Sequence, residues 1–234
     1  MTPKAILIGS IGVVAETSDI QRRAYNQALT EAGLDWHWDI ETYKLLLTKS
    51  GGRARLKRLS KELQARLTET EVAQIHNRKT EIACEEIMTR GIELRAGVRS
   101  VLDQCASTQT PVAFVTTTYM PNIDAIARGS RGELDLSEFA FVLTTEDVTR
   151  SKPDPEVYRL ALERLGLGAQ DCLAIEDSET SLTAAQDAGI PTLATPGRFT
   201  RGQNFESAEW QFGSIQDFLV TDPALLRELD YSRA

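Results

Sequence analysis

The chain has 234 residues, 41% hydrophobic and 26% charged, which suits one folded core with a modest second lobe and points to a globular protein rather than a disordered one. Thirty-four acids against 26 bases leave a formal net charge of -8, which argues against a nucleic-acid partner but not against an anionic small molecule held by a few local cations. No apolar run approaches the roughly 20 residues of a membrane span, and the amino terminus lacks the basic start of a secretory signal, so no membrane partner and a cytoplasmic location are expected.

Residues 4–8 open the chain as an apolar run of strand length. Residues 17–90 then read as almost pure helix, over 18–32, 39–48, 53–63 and 69–90, with a Gly51-Gly52 turn leading into Arg53 and Arg55. Strands follow at 111–115, 141–143, 172–175 and 191–194, separated by helical stretches such as 153–165 and 178–188. Short strands alternating with helices predict an α/β fold with a parallel sheet covered on both faces, its ligand at the carboxyl ends of the strands. Residues 17–90 then form an all-helical lobe inserted over that edge, leaving 1–16 and 91–234 as the α/β core.

Three cysteines, Cys84, Cys105 and Cys172, are odd in number and far apart, and His37 and His76 lie near none of them. The pattern suits reduced, buried thiols rather than a disulfide frame or a zinc site.

Four polar patches follow the predicted strands. They are Gly9-Ser10-Ile11-Gly12 with Glu16 and Thr17 beyond, Thr116-Thr117-Thr118, Ser151-Lys152-Pro153, and Glu176-Asp177-Ser178. Hydroxyls and amides suit phosphoryl oxygens, a lysine suits their charge, and a carboxylate pair suits a hard divalent cation. Together they make a kit for phosphate with magnesium.

In these four patches the chain resembles the haloacid dehalogenase superfamily of phosphatases, over nearly its whole length. Thr116 matches the second motif, Lys152 in SKPDPEVY the third, and Glu176-Asp177-Ser178 with the following AAQDAG the fourth. The helical insertion resembles the cap of the phosphoglycolate phosphatase and beta-phosphoglucomutase branch, and RRAYNQALTEAGLDWHW with SGGRARL resembles the CbbY group. The resemblance implies a Rossmann-like core, phosphate binding by Thr116, Thr117 and Lys152, a Mg2+ site at Asp177 and Glu176, and substrate contact by Gly51, Gly52, Arg53 and Arg55.

The first motif departs from the family. Where the family has D-x-D-G, this chain has Gly9-Ser10-Ile11-Gly12, so the nucleophile position is Gly9 and the acid/base position Ile11. Neither residue can attack phosphorus or move a proton. Alternation along a strand turns Ser10 away from the face of Gly9 and Ile11. The magnesium site should be weaker, and Lys152, without its usual partner, is left to pair with Glu176 or with a bound anion.

Three readings stay open: a catalytically impaired phosphatase-like protein that binds a phosphorylated metabolite such as a sugar phosphate or acts through a protein partner; an active hydrolase using water held by Asp177 and Glu176; and an interaction protein with a vestigial pocket. Plainer accounts also stand for single residues. Arg53 and Arg55 fit a solvated helix face, Trp36 and Trp38 fit packing in the lobe, and His76 fits a helix surface. A dinucleotide cradle at Gly9 to Gly12 is disfavoured, because G-x-x-G is not the required G-x-G-x-x-G.

Overall fold

Five short apolar segments and a two-residue sixth build the sheet of this computed structural model, which describes residues 3–49 and 51–221. The strands are β1 (Ala5–Ile8), β2 (Val112–Val115), β3 (Phe141–Leu143), β4 (Cys172–Glu176), β5 (Thr192–Ala194) and β6 (Trp210–Gln211). They lie in the order β3-β2-β1-β4-β5-β6, every pair parallel. Every residue of β1, β2 and β4 is buried. Continuous burial is what a parallel sheet with helices on both faces imposes on its central strands.

Period-two alternation divides each strand between two cores. On β1, Ile6 and Ile8 face one cluster while Ala5 and Leu7 face the other; on β4, Leu173 and Ile175 join the first, and Cys172 and Ala174 the second. The helices are α1 (Ile11–Val14), α2 (Ser18–Glu31), α3 (Ile40–Leu46), α4 (Gly52–Glu62), α5 (Glu69–Arg90), α6 (Val98–Ser107), α7 (Met120–Gly129), α8 (Glu156–Leu165), α9 (Glu179–Asp187) and α10 (Ile215–Thr221). All five predicted strands and the four helices of residues 17–90 are present, with ends shifted by a few residues at most. The bounds of α5 match the prediction, because a reciprocal capping box between Thr68 and Glu71 fixes its start. Strand β6 was not expected; two residues carry no readable pattern.

Helices α2 to α5 enclose an apolar cluster of their own, which includes Tyr25, Trp38, Tyr43, Leu56 and Ile75. Trp38 and Tyr43 stack with ring centroids 6.0 Å apart, so Trp38 packs as its plainer reading held. Cys84, Cys105 and Cys172 are free and buried. No helix among the described residues is long and apolar enough to cross a membrane.

Candidate active site

A cleft of about 390 Å³ opens between the carboxyl edge of the sheet and helices α2 to α5. The strand register assembles its floor. Ile8 lies level with Phe114 and with Ile175, so the residues that leave β1, β2 and β4 emerge side by side. Gly9, Ser10, Ile11, Thr116, Thr117, Lys152 and Asp177 all line the cleft from this side. Gly51, Gly52, Arg53 and Arg55 line it from the other. Topology thus gathers residues that lie 168 positions apart at most in the chain, from Gly9 to Asp177.

The first-motif position holds an exchange of carboxylates. Gly9 donates its amide to the Ile175 carbonyl at 3.0 Å, which sets Gly9 level with Glu176 on the adjacent strand. Neighbouring residues at one level of a parallel pair face the same side. With no side chain on Gly9, the Glu176 carboxylate lies over it: a Cβ built there would collide with Glu176 Oε1 and with the Tyr158 hydroxyl. Lys152 Nζ meets the same carboxylate at 2.6 Å, and Tyr158 Oη donates to it at 2.5 Å. Glu176 and Lys152 are almost completely buried. Burial pushes the Glu176 carboxyl up and the Lys152 ammonium down, and their mutual contact partly offsets both.

Two residues with expected roles make other contacts here. Lys152 was expected to hold phosphate, yet its ammonium also faces the Gly9 carbonyl at 2.5 Å, the Val115 carbonyl at 2.9 Å and Tyr158 Oη at 3.4 Å. Four acceptors already exceed its three protons, so no donor remains for an anion. Glu176 was expected to be a metal ligand, yet its carboxylate is turned onto Lys152 and sealed from solvent.

Ser10 faces the opposite side from Gly9, as strand alternation requires. Asp177 alternates in the same way against Glu176, so Ser10 Oγ meets it and donates to Oδ1 at 2.5 Å. Burial pushes the Asp177 carboxyl up, against the lowering effect of that hydrogen bond. The magnesium expected from the resemblance therefore finds a poor donor set. Asp177 is engaged by Ser10, Glu176 is withdrawn, and the Ile11 carbonyl accepts from the Ala15 amide at 2.9 Å. No group of three His, Cys, Asp or Glu side chains with metal-binding geometry occurs among the described residues. With Asp177 as the one carboxylate facing the cleft, the residues present make a weaker site for Mg2+ than a carboxylate-bearing first motif would.

Thr116 is buried, and its Oγ1 accepts from the Thr118 amide at 3.1 Å, so the turn is held by its own hydroxyl while that hydroxyl keeps its proton for another acceptor.

The opposite wall is rich in cations. Gly51, at φ 90°, bends the chain into α4, and Gly52 passes so close to Tyr25 and His76 that a side chain there would collide with both. Arg55 is buried, not part of a solvated face; it donates to the Leu46 carbonyl at 2.9 Å and lies 5.6 Å above the Tyr43 ring. Arg53 is exposed, donates to the Asn77 side chain at 3.1 Å and lies 5.5 Å from the Tyr119 ring. His76, read from sequence as a surface residue, is buried in the cleft wall. Burial, with help from Lys79, Arg53 and Arg55, lowers it to about 3.

Lys79 was missed altogether. It is buried in the same wall, donates to Gln21 Oε1 at 2.5 Å and lies 4.9 Å from the Tyr25 ring. Burial, then repulsion from Arg55, depresses it to about 7. The spacing of α5 carried the signal: Val72, Ile75, His76, Lys79, Ile82 and Ala83 form one buried stripe, with a lysine where an apolar residue would ordinarily stand.

Comparison with known proteins agrees with this fold. The profile of the haloacid dehalogenase-like hydrolases matches residues 4–189. Protein CbbY of Rhodobacter capsulatus is 33% identical over 92% of this chain and 95% of its own length, and the plasmid-borne CbbY of Cupriavidus necator is 38% identical over 88% and 83%. The crystal structure of a CbbY variant from Rhodobacter sphaeroides in complex with xylulose-(1,5)bisphosphate superposes with a TM-score of 0.85 at 33% identity, covering 92% of this chain and 96% of that one. A beta-phosphoglucomutase from Clostridium difficile, 17% identical with a TM-score of 0.79, shares the fold and covers 97% of this chain and 98% of its own. With its parallel sheet, its helical lobe and three of the four motifs in place, the chain belongs to the haloacid dehalogenase-like hydrolases, in the CbbY branch.

Proposed function

We propose that this protein binds a phosphorylated small molecule, such as a sugar phosphate, and lacks the aspartyl-phosphate chemistry of its family. One observation carries the reading: the space a nucleophilic carboxylate would take at Gly9 is filled by Glu176, locked to Lys152 and closed to the cleft. Gly9 offers no atom to attack phosphorus, and Ile11 none to protonate a leaving group. Retention of the cleft supports binding. Its floor keeps the hydroxyls of Thr116, Thr117 and Ser10, its wall keeps Arg53, Arg55 and Lys79, and similar CbbY structures hold xylulose-(1,5)bisphosphate or phosphate.

The test pairs turnover with binding. Phosphate release from a panel of sugar phosphates with Mg2+ is expected to be absent in the wild type and in Asp177→Ala. The same compounds should raise the melting temperature, since a ligand at ten times its Kd adds about 1.4 kcal/mol. Turnover that disappears in Asp177→Ala would overturn the loss of chemistry and establish a hydrolase. Silence in both assays would overturn binding and leave a vestigial pocket.

A further inference from the structure

Resting on that binding reading, we infer that the ligand carries a single phosphate and places it at the cap-side wall, against Lys79, Arg53 and Tyr25, with its hydroxyl-bearing end on the Thr116 floor. The charges along the cleft are sorted to suit this orientation. Among the described lining residues the cations are Arg53, Arg55, Lys79 and Lys152, and the sole carboxylate is Asp177. Lys152 is cancelled by Glu176. The floor is therefore left with the Asp177 carboxylate, which also feels Arg95 behind the cleft, and the wall with three basic groups, Arg53, Arg55 and a Lys79 depressed to about 7.

Among the described residues none of those three has a carboxylate partner. Arg53 donates to an amide oxygen, Arg55 to two backbone carbonyls and Lys79 to the Gln21 amide oxygen. A buried ammonium without a counter-charge is costly, and an anion entering the cleft supplies the missing charge. A second sign lies beside them. The Tyr25 hydroxyl lines the cleft, is buried, and finds no hydrogen-bond partner among the described residues. Buried hydroxyls ordinarily have partners, so this one is free for a ligand oxygen.

The floor suits the other end of such a molecule. Ser10, Thr116, Thr117 and Asp177 can donate to and accept from neutral hydroxyls, whereas a phosphate there would meet the Asp177 carboxylate while the lining cation on that side, Lys152, is bound to Glu176. A second phosphate is thus unfavourable, and the group that relatives attack would point away from the sheet edge.

Calorimetric titration in EDTA with xylulose 5-phosphate and xylulose 1,5-bisphosphate tests the orientation. The monophosphate is expected to bind at least as tightly as the bisphosphate. Lys79→Met and Arg53→Gln should each weaken the monophosphate tenfold or more, and Asp177→Asn should improve the bisphosphate. Arg53 is exposed, so its variant reports even where Lys79→Met folds poorly. Lys57→Gln, exposed on α4 and paired with Glu69, serves as the control. A bisphosphate preference, or a larger loss in Thr116→Val than in Arg53→Gln, would overturn the orientation while leaving binding intact. Absence of wild-type binding to either probe would overturn binding itself.

Discussion

Glu176→Gln tests the carboxylate exchange on which the functional reading rests. The substitution keeps shape and an acceptor for Tyr158 but removes the only negative charge in contact with Lys152 among the described residues. Lys152 would be left with the Gly9 and Val115 carbonyls at 2.5 and 2.9 Å, fully buried. It then holds its charge unpaired or surrenders its proton, and either route costs free energy. Breaking a buried pair by removing one partner costs about 3–5 kcal/mol, whereas replacing both by apolar groups is often neutral. For a chain of this size each kcal/mol moves the melting temperature by about 2–4 °C, so the single variant should melt roughly 6–20 °C lower. Lys152→Met combined with Glu176→Gln should lie closer to wild type than Glu176→Gln alone. Thermal melts by circular dichroism, checked by urea unfolding, read both. A loss under about 1 kcal/mol, or a double variant less stable than the single, would refute the claim that Glu176 has taken the place of the missing first-motif carboxylate.

Two further expectations follow from the same contacts. Gly9→Asp with Ile11→Asp must eject Glu176 from Lys152, so the double variant should melt lower in EDTA, recover with Mg2+, and release phosphate from sugar phosphates only with the metal; a melting temperature indifferent to Mg2+ would show that no site had been rebuilt. Lys79, depressed from 10.5 to about 7, leaves the unfolded chain holding one more proton between those values, so wild-type stability should gain from this residue as pH rises from 7 towards 10. Below pH 7 the folded protein bears the full cost, roughly 5 kcal/mol, so Lys79→Met should exceed wild type in urea stability at pH 6 and lose that advantage by pH 10; an equal difference at both would refute the assignment.

Much of this fold was legible because its signals are local. Apolar runs marked β1 to β5, and the end of α5 follows from Arg90-Gly91, where the glycine takes φ 82°. The site was legible in part for a topological reason. Thr116, Lys152 and Asp177 follow strands or open helices, and a parallel sheet brings such positions to one edge. The choice of partners was not legible. Sequence left Lys152 to pair with Glu176 or an anion, and only the volume that the missing Gly9 side chain leaves, taken by Glu176 and capped by Tyr158 from α8, decides for Glu176.

That volume also links the two ends of the cleft. In a first motif with carboxylates, the floor lysine has a catalytic partner and the fourth-motif acids are free to face a cation. Here one missing side chain draws Glu176 inward, which neutralises Lys152 and leaves Asp177 to Ser10. On the proposed orientation the floor loses its attraction for phosphate without a single change at Thr116, Lys152 or Asp177 themselves. The opposite wall, built on α2, α4 and α5 and independent of β1, keeps Arg55 and Lys79 buried with no carboxylate partner among the described residues. Charges that costly to bury without a partner are what a cleft retains when an anion is still expected within it. On the proposed reading, catalysis and binding are separable in space in this chain, and loss of catalysis leaves the test of binding to the wall rather than to the motifs.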